Sequence, residues 1–150
     1  MRYYVMEPPE NMQLPAAAKS EGADVVQTSG LDRFSEIDYD SRCGLISDRM
    51  KLLMERFLLR YDFKPVVFLD SSNGDQLVFW RFSPAIYEDC SPEFRNDGIV
   101  SHVSFPNNDA PIVFTVRSPK GVRSILVRMA VAESTLRRSI LGLKFTKVSD

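Results

Sequence analysis

One histidine and two cysteines in 150 residues leave little material for most of the site chemistry a sequence can advertise. Cys43 and Cys90 are isolated, with no CxxC pair and no Cys/His ligand spacing, so a usual zinc shell is excluded. Free thiols in a reducing compartment are expected instead. No stretch approaches the roughly 18 consecutive apolar residues of a membrane-spanning helix. The opening Met1-Arg2-Tyr3-Tyr4-Val5-Met6-Glu7-Pro8-Pro9 has a single basic residue, a short apolar stretch and no small-residue cleavage site. It does not read as a signal peptide, and the protein is expected to remain in the cytoplasm. The seven glycines are scattered and form neither GxxxxGK(S/T) nor GxGxxG, so no phosphate loop is present.

Catalytic parts are equally scarce. His102 lies in an alternating stretch whose period-2 neighbours are Val100 and Ser104. A pairing with Cys43 or Cys90 would suit thiol catalysis, but nothing local supports it; a strand histidine bonded to a neighbour or facing water is the structural alternative. The Asp70–Asp75 loop carries carboxylates at its ends but lacks the twelve-residue EF-hand pattern, so solvation of a hairpin explains it better than a cation site. The expectation is a protein that is not an enzyme, holds no metal or cofactor, and acts by binding another macromolecule.

What is present is ordinary for a globular protein: 44% hydrophobic and 26% charged residues. The length predicts one domain over residues 1–150, able to bury roughly two-thirds of its unfolded surface. A first strand is expected over Arg2–Met6, ended by Pro8-Pro9, and a second over Ala23–Gln27. Residues 7–45 as a whole read as loop-rich. Ser47 is a good N-cap, followed by an apolar stripe at Met50, Leu53, Met54, Phe57 and Leu58. Lys64–Leu69 and Gln76–Phe82 flank Asn73-Gly74, which predicts a hairpin of interior strands covered on both faces. Strands are further expected over Ile99–Phe105, Ile112–Val116 and Val122–Met129, the last completing a meander. Val131–Leu141 reads as a helix with Ala132, Leu136 and Ile140 inward and Gly142 as its C-terminal glycine. This inventory is α+β: a mostly antiparallel sheet of about six to eight strands with two packed helices.

The net charge of −1 conceals an asymmetry. Residues 1–48 carry nine Asp or Glu against four Lys or Arg, a balance of −5, whereas residues 117–147 carry eight Lys or Arg against one Glu, a balance of +7. Solvated faces that neutralise one another are one reading; an acidic and a basic recognition surface are the other. In the segment Asp32 to Asp40, the acids Asp32, Glu36, Asp38 and Asp40 interleave with Phe34, Ile37 and Tyr39. Carboxylates there would steer a basic partner while the aromatics anchor it; alternatively Phe34 and Ile37 tuck into the chain's own core. Glu88, Asp89 and Glu93 form a second candidate. The basic C-terminal third supports an alternative, nucleic-acid binding, although the overall pI of about 5.9 is far from a typical basic footprint.

Three stretches carry a resemblance. They are Arg2-Tyr3-Tyr4-Val5-Met6; Ile46-Ser47-Asp48-Arg49-Met50-Lys51-Leu52-Leu53 with the hairpin after it; and Ile125-Leu126-Val127, Glu133–Arg138 and Leu141–Val148. In this order they resemble bacterial polymorphic-toxin immunity proteins. The resemblance implies a small cytoplasmic protein that neutralises a cognate toxin by direct binding, and it carries over no individual functional residue. Occlusion of a basic site, such as the substrate groove of a nuclease-type toxin, is the mechanism it suggests for the acidic segments.

Overall fold

The computed structural model describes residues 2–8, 13–15, 24–140 and 142–150. Among them are two α-helices and eleven strands in three mostly antiparallel sheets, an α+β fold. Its strands outnumber the six to eight expected, chiefly because short strands form within the stretches that read as loop. The chain divides into two compact units, one of Met1–Glu7, Ser83–Ser139 and Lys144–Asp150, the other of Pro8–Phe82 and Ile140–Leu143. We call them the terminal unit and the insert unit, after their places in the sequence.

The insert unit is built on five strands: β2 (Val25–Thr28), β3 (Tyr39–Asp40), β4 (Leu45–Ser47), β5 (Lys64–Asp70) and β6 (Gln76–Arg81). Their order is β2-β5-β6-β4-β3, with only β2 and β5 parallel. The Asn73-Gly74 turn forms as expected: Gly74 takes φ 79°, and its N–H donates to the Asp70 carbonyl at 2.8 Å. One face of the β5–β6 hairpin carries the unit's core, with Val66, Phe68 and Phe79 packed against Val26, Leu31, Phe34, Ile37 and Leu45. On the other, Val67, Leu69, Val78 and Trp80 remain half-exposed. Both strands are therefore interior in the sheet, but the expectation of two fully covered faces fails; an apolar run reports an interior position in the sheet without fixing what lies over each face.

Helix α1 (Asp48–Met54) starts where the cap predicts, with the Ser47 hydroxyl accepting from Met50 N–H at 3.2 Å. Its buried face is Met50, Leu53 and Met54. The regular helix stops there, and Phe57 and Leu58 lie just beyond it, half-buried.

The terminal unit holds a four-stranded antiparallel sheet ordered β11-β1-β10-β9, made of β1 (Tyr3–Glu7), β9 (Val113–Arg117), β10 (Arg123–Arg128) and β11 (Lys144–Lys147). A two-stranded ribbon of β7 (Ser91–Phe94) and β8 (Val100–Ser104) packs Val100 and Val103 against Tyr3, Val5, Phe114, Val116 and Leu126. The expected meander is thus a β9–β10 hairpin only. β8 pairs instead with β7, a strand hidden in the sequence by Pro92. The fully buried Tyr3 ties the core together: its hydroxyl lies 2.8 Å from the Pro111 carbonyl and accepts from Arg128 Nε at 3.0 Å.

Helix α2 (Met129–Arg137) follows β10 directly, with Arg128 as N-cap and no side-chain cap. Val131, Ala132 and Thr135 face inward, and Leu136 is 65% exposed, which corrects the predicted stripe. The strand that delivers the helix fixes which face meets the sheet, and periodicity cannot distinguish stripes one residue apart. Ser139, at φ 55°, takes the left-handed position after the helix. Gly142 serves a different purpose, described below.

Candidate functional site

The first acidic segment is largely internal. A short 3₁₀ turn, Leu31–Phe34, buries Leu31 and Phe34, and Ile37, Asp38, Tyr39 and Asp40 are all at most 2% exposed. The Asp38 carboxylate accepts from Ser47 Oγ at 2.6 Å, from Arg49 Nε at 2.5 Å and Nη2 at 3.1 Å, and from Gly142 N–H at 2.9 Å. Asp40 accepts from Leu14 N–H at 2.8 Å, Arg42 N–H at 2.9 Å and Cys43 N–H at 3.2 Å. A carboxylate offers about four acceptor positions, so both groups are committed to their own chain. Phe34, Asp38, Tyr39 and Asp40 are therefore structural rather than a contact surface, and of the segment's four acids only Asp32 and Glu36 face solvent. One clue was present in the sequence: Asp40-Ser41-Arg42-Cys43-Gly44 is an Asx-turn pattern, and Gly44 takes φ 65°.

Glu88, Asp89 and Glu93, by contrast, are exposed on the terminal unit. The chain leading to them is clamped to β9, with Thr115 N–H donating to the Ala85 carbonyl, Tyr87 N–H to the Thr115 carbonyl (3.0 Å each), and Thr115 Oγ1 to the Pro84 carbonyl at 2.6 Å. Backbone held this way presents Ile86, which is 43% exposed, and the half-buried ring of Tyr87 beside Glu88 and Asp89. Asn107 Nδ2 lies 3.4 Å from Asp89 Oδ2, and Asn107 Oδ1 accepts from Asp109 N–H at 3.1 Å, bringing the two carboxylates to one locality. Burial, then the charges of Asp89 and Asp109, push the Tyr87 phenol above its ordinary value. Among the described residues no Lys or Arg forms a salt bridge with Glu88, Asp89 or Asp109. Glu93 lies across the ribbon from His102, 3.7 Å from its Nδ1.

Sequence reasoning missed Ile86, Tyr87 and Asp109 as members of this surface. Ile86-Tyr87 directly precedes Glu88-Asp89, and that adjacency was the available signal. Of the eight basic residues between 117 and 147, four are engaged within the terminal unit: Arg123 with Ser83, Arg128 with Tyr3, Arg137 with Glu133, and Lys144 with Glu7. Cys43 is buried in the insert unit and Cys90 half-buried in the terminal unit, and the two are not joined in a disulfide. Asp70 accepts from Ser72 Oγ, Ser72 N–H and Gly30 N–H, the hairpin role that its loop suggested. No helix among the described residues is long and apolar enough to cross a membrane. No protein-family model and no curated protein matches the chain.

Proposed function

We propose that this chain is a cytoplasmic immunity protein that binds and neutralises a cognate bacterial toxin, covering a basic site such as the substrate groove of a nuclease-type domain. The observation that carries the reading is the set of exposed carboxylates at Glu88, Asp89 and Asp109, set around Ile86 and Tyr87 and without a Lys or Arg salt bridge among the described residues. Negative charge of this kind raises the encounter rate with a basic surface, and an apolar and aromatic pair supplies area to bury on contact. The backbone clamp on β9 fixes the segment before binding, which lowers the entropy lost on association. Glu93 extends the strip along β7. Occlusion requires neither cofactor nor catalytic group from this chain.

The test begins with the gene beside this one in its genome. If that gene encodes a secreted protein with a C-terminal toxin domain, co-expression of the present chain should rescue cells from that domain. Purified partners should associate quickly at low salt. The double variant Glu88→Lys/Asp89→Lys should slow association about tenfold or more and flatten its salt dependence. Cells that die despite the chain's expression would defeat the immunity reading; rescue with unchanged kinetics in the double variant would move the contact elsewhere.

A further inference from the structure

One short piece of the insert unit is held by side chains rather than by a ladder. Gln13-Leu14-Pro15 belongs to no helix or strand, and among the described residues no backbone–backbone hydrogen bond involves it. A residue that precedes proline is biased towards extended backbone, so the N–H and C=O of Leu14 need partners from elsewhere in the chain. Both find one. The Asp40 carboxylate, itself 2% exposed, accepts from Leu14 N–H at 2.8 Å, and Arg42 Nη2 donates to the Leu14 carbonyl at 2.8 Å. The Leu14 side chain is buried in the cluster that holds Val26, Leu31, Phe34, Ile37 and Cys43.

The seat is oriented by groups other than its occupant. The second oxygen of Asp40 accepts from Arg42 N–H at 2.9 Å and Cys43 N–H at 3.2 Å, so the 40–44 loop aims the carboxylate without help from Leu14. Arg42 Nη2 stands 3.5 Å from Asp40 Oδ2, which places donor and acceptor side by side. One acceptor, one donor and an apolar recess together recognise a single leucine of an extended chain. Main-chain bonds of this kind supply affinity, and the recess supplies selectivity. Retention through one residue also makes release local. Freeing Leu14 breaks two hydrogen bonds and one set of apolar contacts, while the β2-β5-β6-β4-β3 sheet stays paired. Segments with so few bonds open at a lower free energy than the whole fold.

We propose that Gln13-Leu14-Pro15 is a releasable strap, an autoinhibitory contact that fills a docking seat for an extended Leu-Pro segment. The strap itself shows the chemistry the seat accepts, and a competing segment would use the same Asp40, Arg42 and apolar recess. This inference does not depend on the toxin reading, whose surface belongs to the terminal unit. Cys43 is 9% exposed and shares both the cluster and Asp40 with Leu14, so its alkylation reports an open seat. The full chain carrying Cys90→Ser, which removes the other thiol, is treated with iodoacetamide and followed by mass spectrometry. Labelling should be slow and insensitive to urea well below the unfolding midpoint, the mark of a local opening. Leu14→Ala, its fold checked by circular dichroism, should speed labelling about tenfold or more. A synthetic peptide with the sequence of residues 11–16, Asn-Met-Gln-Leu-Pro-Ala, should restore protection to that variant saturably. The same peptide with alanine in place of leucine should not, and Arg42→Ala should weaken the effect about tenfold. If Leu14→Ala fails to fold, Leu14→Val takes its place. Labelling that climbs with urea from the outset, as global unfolding requires, would overturn the proposal. So would the absence of saturable protection, or equal protection by the leucine-free peptide.

Discussion

Replacing Gly142 by alanine separates two physical accounts of this glycine by the sign of the effect. Gly142 is not among the glycines with positive φ, so its backbone conformation is open to any residue. If chain entropy alone mattered, alanine would stabilise the fold by about 0.4–1 kcal/mol. The structure argues the reverse. A Cβ at this position would overlap the Glu36 carbonyl oxygen and the Asp38 carboxylate, and it would sit 2.9 Å from the Asp38 amide nitrogen. Asp38 has no room to retreat, because Ser47 and Arg49 already hold its carboxylate. The Ile140–Leu143 segment must move instead, stretching the Gly142 N–H bond to Asp38. A hydrogen bond to a charged group contributes about 1.5–3 kcal/mol, and overpacking costs about 1–3 kcal/mol. The two describe partly the same displacement, so a net loss of about 2–4 kcal/mol is expected. With a urea slope of about 2 kcal/mol per molar, the unfolding midpoint should fall by about 1–2 M. Trp80 fluorescence is the assay, since this tryptophan belongs to the unit that holds Gly142. A midpoint that stays or rises in Gly142→Ala would refute the steric account.

Ser47→Ala should destabilise by about 1–2 kcal/mol through loss of the α1 cap. Combined with Asp38→Ala it should be non-additive by at least 0.5 kcal/mol in urea titration, because the same hydroxyl donates to Asp38 and accepts from Met50 N–H; strict additivity would mean that the two contacts are independent. The Ser72 hydroxyl and N–H, with help from Gly30 N–H, hold the Asp70 carboxyl below its ordinary value. The stability this confers is complete above the unfolded carboxyl value of about 3.9 and is lost as pH falls through the lower folded value. Ser72→Ala should therefore shift the acid-unfolding midpoint followed by circular dichroism to higher pH, and an unmoved midpoint would contradict the assignment. Gly98, at φ 87°, would bring a Cβ within 2.7 Å of Val122 Cγ2. A left-handed non-glycine residue costs about 1–2 kcal/mol, so Gly98→Ala should lower the melting temperature by a few degrees in calorimetry, and an unchanged value would show that the turn adjusts freely.

Features caused by neighbours in the chain were legible from the sequence. The Ser47 cap, the Asn73-Gly74 hairpin, the alternation through β8, the apolar run of β9 and the α+β class all follow from dihedral preference and hydrophobic pattern, which act over a few residues. Tertiary structure decided the rest. Glu88 and Asp38 are both acidic residues in aromatic-laced segments, yet one reaches solvent and the other is fully buried. The difference lies in partners such as Gly142, 104 positions away, which no local pattern contains. Likewise, Lys51, Tyr61, Phe63 and Trp80, from α1, the chain after it and β6, line one groove of about 330 Å³, and only the packing of the insert unit brings them together. Composition set how much charge and apolar surface this protein carries. Long-range hydrogen bonding and packing determined which of those groups remain at the surface.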